Sequence, residues 1–148
     1  MKDALLIPNL AGKVIAVLGL GRSGGAAAAV IAASGAGVWA WDDNEAARDA
    51  VNQDWLVDLA QADWRMIDAL LMSPGIPHLH PAPHPVAKLA RDAGVPIISD
   101  IDLLARAQPL ARYVAVTGTN GKSTTTTLIG HLLEHAGRRV ETGGNLGT

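Results

Sequence analysis

VIAVLGLGRSGGAAAAVIAAS, residues 14–34, is the stretch that decides the fold. It begins as a short apolar run rich in β-branched residues, the pattern of a buried strand. Gly19, Gly21 and Gly24 follow in G-x-G-x-x-G spacing. The remainder is Ala-rich and helix-favouring, and Gly35 stops it. In a strand–turn–helix unit of this kind Gly19 permits the tight turn and Gly21 lets the backbone approach a diphosphate. Gly24 lets the helix close on the strand. The helix N-terminus then offers unpaired N–H groups to anionic oxygens. Asp42, 23 residues after Gly19, stands where a dinucleotide site places its ribose-binding acid. The spacing alone does not select NAD, because any nucleoside diphosphate presents the same pyrophosphate to the same helix end.

Working outward, GVWAW (37–41) reads as a second strand and NEAARDAV (44–51) as a short helix. Residues 52–68 mix polar and apolar side chains without a clear period. ALLMSPG (69–75) reads as a strand entering a tight turn. Four prolines in PHLHPAPHP (77–85) make that stretch a loop. VAKLARDAG (86–94) is predicted as a helix, PIIS (96–99) as a strand and DIDLLARAQ (100–108) as a helix begun by an Asp. RYVAV (112–116) is predicted to open a new strand, followed by a second glycine loop and a helix. Strand and helix alternate throughout, which predicts an α/β fold, a Rossmann-like doubly wound parallel sheet. Pro109 marks the expected boundary, with one domain over 1–109 and the start of a second over 110–148.

Composition narrows the function classes. The 148 residues are 49% hydrophobic and 18% charged, as in a globular protein. The net charge of −2 gives no basic field for nucleic acid or anionic lipid. There is no cysteine, which excludes disulfide scaffolds and thiolate zinc sites. No signal peptide is recognisable at the start, and the longest apolar run, AAAAVIAA at 26–33, is far below a membrane span. A cytoplasmic monomer acting on small molecules, with no nucleic-acid or membrane partner, is the expectation.

The second loop is the sharper motif. Thr117, Gly118, Thr119, Asn120, Gly121, Lys122 and Ser123 follow the RYVAV run. Gly121-Lys122-Ser123 closes a Walker-type loop, in which backbone N–H groups wrap phosphates and a Lys neutralises the β and γ oxygens. The Ser123 hydroxyl is the candidate Mg²⁺ ligand. The pattern departs from G-x-x-x-x-G-K-S, because Val116 stands where the first glycine belongs and the glycine is Gly118.

TGTNGKST, with that shifted glycine, resembles the ATP loop of the Mur ligases and folylpolyglutamate synthases. About 110 residues precede it here, carrying GLGRSG and SPGIP (73–77), and GGNLG follows at 143–147. In that order the three motifs resemble the Mur ligases, cell-wall enzymes of peptidoglycan synthesis. Within them they point to the branch that adds D-glutamate to UDP-N-acetylmuramoyl-L-alanine, with the L-alanine-adding branch as runner-up.

The resemblance implies an ATP-dependent amide ligase working through an acyl phosphate, with ATP and Mg²⁺ as cofactors. It assigns Gly118, Thr119, Asn120, Gly121, Lys122, Ser123 and Thr124 to ATP, Lys122 being the catalytic cation. It assigns Gly21, Arg22, Ser23, Gly24, Asp42, Asp43, Asn44, Gly75 and Asn145 to the UDP substrate. Family members commonly carry Thr and Arg where this chain has Asp43 and Asn44, so Arg22 is the expected substitute cation. The resemblance also implies that the second metal site, the adenine pocket and the D-glutamate site lie beyond residue 148. The chain is then expected to be a catalytically incomplete fragment.

Other features read as structural. His78, His80 and His84 lie in a proline-rich loop that does not fix metal geometry. His131 and His135 share a helix face without the Glu of a zincin. Trp39 and Trp41 alternate on a strand and are expected to pack. Two rivals stay open: an NAD-binding oxidoreductase domain, which leaves TGTNGKST unexplained, and a non-catalytic nucleotide-binding module.

Overall fold

A computed structural model describes residues 5–77 and 79–144. Its centre is a four-stranded, all-parallel sheet of β1 (Val14–Leu18), β2 (Gly37–Trp41), β3 (Ala69–Met72) and β4 (Ile97–Ile98) in the order β2-β1-β3-β4. Ala16 pairs with Trp39 on one side and Leu70 on the other. The helices are α1 (Arg22–Ala33), α2 (Glu45–Asp49), α3 (Pro85–Asp92), α4 (Asp100–Ala107) and α5 (Lys122–His135).

β1 and β3 are apolar along nearly their whole length because both faces of the sheet are covered. Successive side chains of β1 go to opposite layers. Ile15 and Val17 join Ala28 and Ile31 of α1 and Leu103 of α4, while Ala16 and Leu18 join Val86, Ala87 and Ala90 of α3. This is the α/β doubly wound arrangement that the alternating sequence predicts. Trp39 and Trp41 pack, partly buried, on the second of these cores.

The ambiguous stretch 52–68 holds two short 3₁₀ turns, Gln53–Trp55 and Trp64–Met66. Asn52 and Asp63 accept backbone N–H bonds at their starts, and the fully buried Leu59 anchors the segment between them. Local side-chain hydrogen bonds replace a period here, so no helical or strand pattern exists to be read.

The chain divides into two compact units, Met1–Leu110 and Ala111–Thr148. In the second, the strand expected at 112–116 does not form; the segment is irregular. Val114 is 65% exposed. A strand exists through its ladder to a neighbour and through burial of a face, and the local sequence supplies neither. The helix expected after the loop does form as α5. Its buried Gly130 lies against Thr142, so close that a Cβ there would come within 2.5 Å of the Thr methyl.

Candidate functional site

The carboxyl ends of β1, β2 and β3 converge on one cleft of about 380 Å³, where a doubly wound sheet places its ligand. Gly19, Gly21 and Ser23 of the glycine loop line it together with Asp42, Asp43, Ser73, Gly75 and His84.

The loop is fixed from several sides. Gly19 (φ +91°) donates its N–H to Trp41 O at 2.8 Å, and its own carbonyl accepts from the Ser73 hydroxyl at 2.9 Å. Leu20 N–H donates to Asp42 Oδ2 at 2.6 Å. Gly24 is wedged beneath: a Cβ at that position would lie 1.8 Å from the Gly19 carbonyl oxygen. A Cβ at Gly21 meets nothing within 4 Å, so that residue faces open space on the ligand side. No side chain caps α1 at Gly21. The first amides of the helix are therefore left to a ligand or to water.

Asp42 acts on the protein itself. Its second oxygen accepts from Asn44 N–H at 2.8 Å, so both carboxylate oxygens hold backbone. Asn44 is the N-cap of α2, accepting from Ala46 N–H. Arg22 is exposed, and its side chain is not among those lining the cleft. The cation that does sit against the 42–44 loop is Arg48. It donates to the carbonyls of Asp42 and Asp43 at 2.6 and 3.2 Å, with its guanidinium 4.7 Å from the centre of the Trp41 ring.

His84, read from the sequence as part of a structural loop, holds the start of a helix. Its Nδ1 accepts from Val86 N–H at 3.2 Å, which makes it the N-cap of α3, and its Nε2 lies 3.2 Å from Asp43 Oδ2. The His84 side chain is 18% exposed and that of Asp43 75%. A signal was present: a proline at the first position of a helix marks the residue before it as the cap.

The second glycine loop leads into α5. Gly121 is its N-cap with φ +78°, again with no side-chain cap. Lys122 Nζ folds over the loop, donating to Gly118 O at 2.6 Å and Thr119 O at 3.2 Å. Ser123 and Thr124 occupy the first turn, both exposed. The Thr126 hydroxyl bonds back to Lys122 O at 2.9 Å. Asn120 lies within the same loop, between two positive-φ glycines. Asn145 and His78 lie outside the described residues. Among the described residues, the two helices that follow glycine loops are the ones without a side-chain cap; α2, α3 and α4 are capped by Asn44, His84 and Ser99.

No helix among the described residues is long and apolar enough to cross a membrane. No family model matches the chain. Several curated proteins do, each called UDP-N-acetylmuramoylalanine–D-glutamate ligase. The one from Paramagnetospirillum magneticum is 52% identical over 149 aligned positions, covering 96% of this chain and 32% of the relative. Those from Phenylobacterium zucineum and Rhodospirillum rubrum are 49% and 48% identical, covering 95% and 98% of this chain and 32% of each relative. The chain thus spans about a third of the length of these relatives. They bear out the resemblance to Mur ligases that the two glycine loops carry.

Proposed function

We propose that this chain, similar over nearly its whole length to D-glutamate-adding Mur ligases, is part of such a ligase. Residues 1–109 hold the UDP end of UDP-N-acetylmuramoyl-L-alanine, and 110–148 begin the ATP-binding domain. The observation that carries this reading is the likeness at about 50% identity across both glycine loops together. The geometry agrees with it. Both loops end at helix N-termini left uncapped by side chains, which suits two separate phosphate ligands.

In the first unit, amides at the start of α1 and the open face of Gly21 would receive the diphosphate. Ser73 and Asp42 keep the loop in shape by holding Gly19 O and Leu20 N–H. An oxidoreductase reading is not favoured, because it leaves the second glycine loop and the likeness to D-glutamate-adding ligases across both loops unexplained.

In the second unit the residues present fit a nucleoside triphosphate with Mg²⁺. The loop from Gly118 to Ser123 leaves the first amides of α5 without a side-chain acceptor. Lys122 brings an ammonium to the same loop, and Ser123 a hydroxyl to the first helical turn. ATP would supply the phosphoryl group that turns the substrate carboxylate into an acyl phosphate, open to attack by the amine of D-glutamate. Lys122 would leave its two carbonyl acceptors for phosphate oxygens, and Ser123 would hold the metal. Positioning and charge neutralisation are what such a loop contributes. As part of that ligase the chain would act in the cytoplasm, in cell-wall synthesis and so in cell shape and division.

Calorimetric titration with UDP-N-acetylmuramoyl-L-alanine, UDP, NADH and ATP·Mg²⁺ tests the proposal. Binding of the UDP ligands without NADH is expected. Binding of NADH without UDP would overturn it.

A further inference from the structure

α5 carries a pair of side chains that neither nucleotide reading uses. His131 and His135 stand at i and i+4 on this helix, where side chains are neighbours. Their ring centres are 5.9 Å apart and the ring planes are tilted by 32°. Both residues are exposed, while Ile129, Gly130 and Leu133 are the buried or half-buried positions of that part of the helix. Among the described residues neither ring takes part in a hydrogen bond or an ion pair, so the ring nitrogens are open to an outside partner. Two imidazole nitrogens that share one ion at about 2.1 Å each can lie no more than about 4 Å apart. Rings with centres 5.9 Å apart meet that limit once a nitrogen of each turns toward the other.

We propose that His131 and His135 together chelate one divalent transition metal of the Ni²⁺, Cu²⁺ or Zn²⁺ class, with water completing its coordination. Among the described residues no group of three or more His, Asp or Glu side chains could hold a metal, so the protein supplies two ligands and the site is a reversible one. The pair lacks the Glu of a zincin, so it binds the ion without the general base of a hydrolytic centre. Imidazole nitrogen selects borderline transition metals, whereas Mg²⁺ takes oxygen. Ser123, the proposed Mg²⁺ ligand, stands eight residues before His131 on the same helix. That places it about 12 Å away along the axis. The helix thus offers an oxygen site at its start and a nitrogen site near its end, and neither metal competes for the other's place. An ion held across one helical turn keeps that turn wound, because unwinding separates the two rings.

Calorimetric titration of the 148-residue chain with NiCl₂ or ZnCl₂ tests the proposal, with MgCl₂ alongside. Wild type should take up the transition metal at this pair and lose none of it to an excess of MgCl₂. His131→Asn and His135→Asn should each weaken binding by about a hundredfold, the gain that two linked ligands hold over one. Both positions are exposed and Asn has nearly the helix propensity of His, so α5 is kept. His80→Asn, in the proline-rich loop, should leave the titration unchanged. As a second readout, ZnCl₂ at ten times its Kd should slow hydrogen exchange of the 131–135 amides about tenfold in wild type and in neither His variant of α5.

Undiminished binding in both α5 variants, or a loss with His80→Asn in their place, would put the metal elsewhere and overturn the inference. So would a wild type that binds neither transition metal. Binding that leaves the exchange of 131–135 unaltered would show that no ion bridges the turn, and would overturn it as well. The nucleotide sites stand or fall separately, since none of these outcomes touches UDP or ATP·Mg²⁺.

Discussion

The two glycine loops are built from the same parts and held in opposite ways. Gly19–Gly24 is tied over long distances in sequence: to Trp41 at the end of β2 and Asp42 just after it, to Ser73 after β3, and to itself where Gly24 sits under the Gly19 carbonyl. Around Gly118–Ser123 the hydrogen bonds among the described residues are local. Lys122 reaches back to Gly118 and Thr119, and Thr125 N–H bonds to Gly121 O, all within four residues. Local sequence is enough to make a loop and a helix. A parallel sheet is what turns the loop into a rigid receptor, because neighbouring strand ends supply groups that the loop itself lacks.

The largest break in this comparison comes from methyl groups. Gly24→Ala drives a Cβ into backbone at 1.8 Å, and relief requires α1 to leave the sheet. A loss of more than about 3 kcal/mol is expected, as for severe overpacking, read as a lower denaturant midpoint of the first unit. Gly121→Ala meets nothing within 4 Å and carries only the strain of φ +78°. It should cost about 1–2 kcal/mol, confined to the second unit. If the two substitutions proved equally costly, the contrast between the loops would be wrong.

Next in size is Asp42→Ala, which leaves the Leu20 and Asn44 amides without their acceptor. About 2 kcal/mol is expected, for two amides partly open to water. Hydrogen exchange should show Leu20 N–H losing protection, with the amides of 114–118 fast already in wild type. Slow exchange over 114–118 would mean that this segment is held as firmly as the first loop.

Much of this was legible in the chain. The β2 range Gly37–Trp41 coincides with the apolar run GVWAW, and α1 begins at the residue after Gly21, because both signals are local: β-branched and aromatic residues for the strand, glycine and alanine for the turn and helix. What escaped depended on pairing. RYVAV has a strand's composition but no ladder in this structure. The spacing of Asp42 suggests a ligand contact, but its bonds to the Leu20 and Asn44 amides show only in the folded chain. Arg48 and His84 act through contacts with Trp41 and Asp43 that no spacing announces.

A smaller effect separates capped from uncapped helices. At α4, Ser99 accepts from Asp102 N–H while the Asp102 carboxylate accepts from Ser99 N–H and its hydroxyl. The Ser99 backbone bond, then its hydroxyl, hold the Asp102 carboxyl below its ordinary value of 3.8. A depressed acid contributes stability above its unfolded pKa and loses it as pH falls through the folded one. Acidification below about 3.8 should therefore erase the Asp102 part of the cap. Ser99→Ala should cost about 1 kcal/mol at neutral pH, and the difference from wild type should shrink in acid. A gap that stayed constant down to pH 2 would show that the cap owes nothing to the charge.

The finest test gives α1 the cap it lacks. Gly21 has φ −61° and ψ −170°, extended backbone that any residue adopts, and a Cβ there has open space. Gly21→Asp can place a carboxylate on the first amides of the helix, where an acidic cap also suits the helix dipole. Glycine is itself a fair N-cap, so the gain in stability should be only a few tenths of a kcal/mol. The effect on binding should be the reverse and far larger: the carboxylate takes the amides that a diphosphate needs and repels its charge. A variant slightly more stable than wild type that has lost UDP is what a helix end reserved for a ligand predicts. One that is more stable and binds UDP undiminished would place the phosphates elsewhere in the cleft. The missing caps at α1 and α5 would then be an accident of glycine rather than the mark of two nucleotide sites.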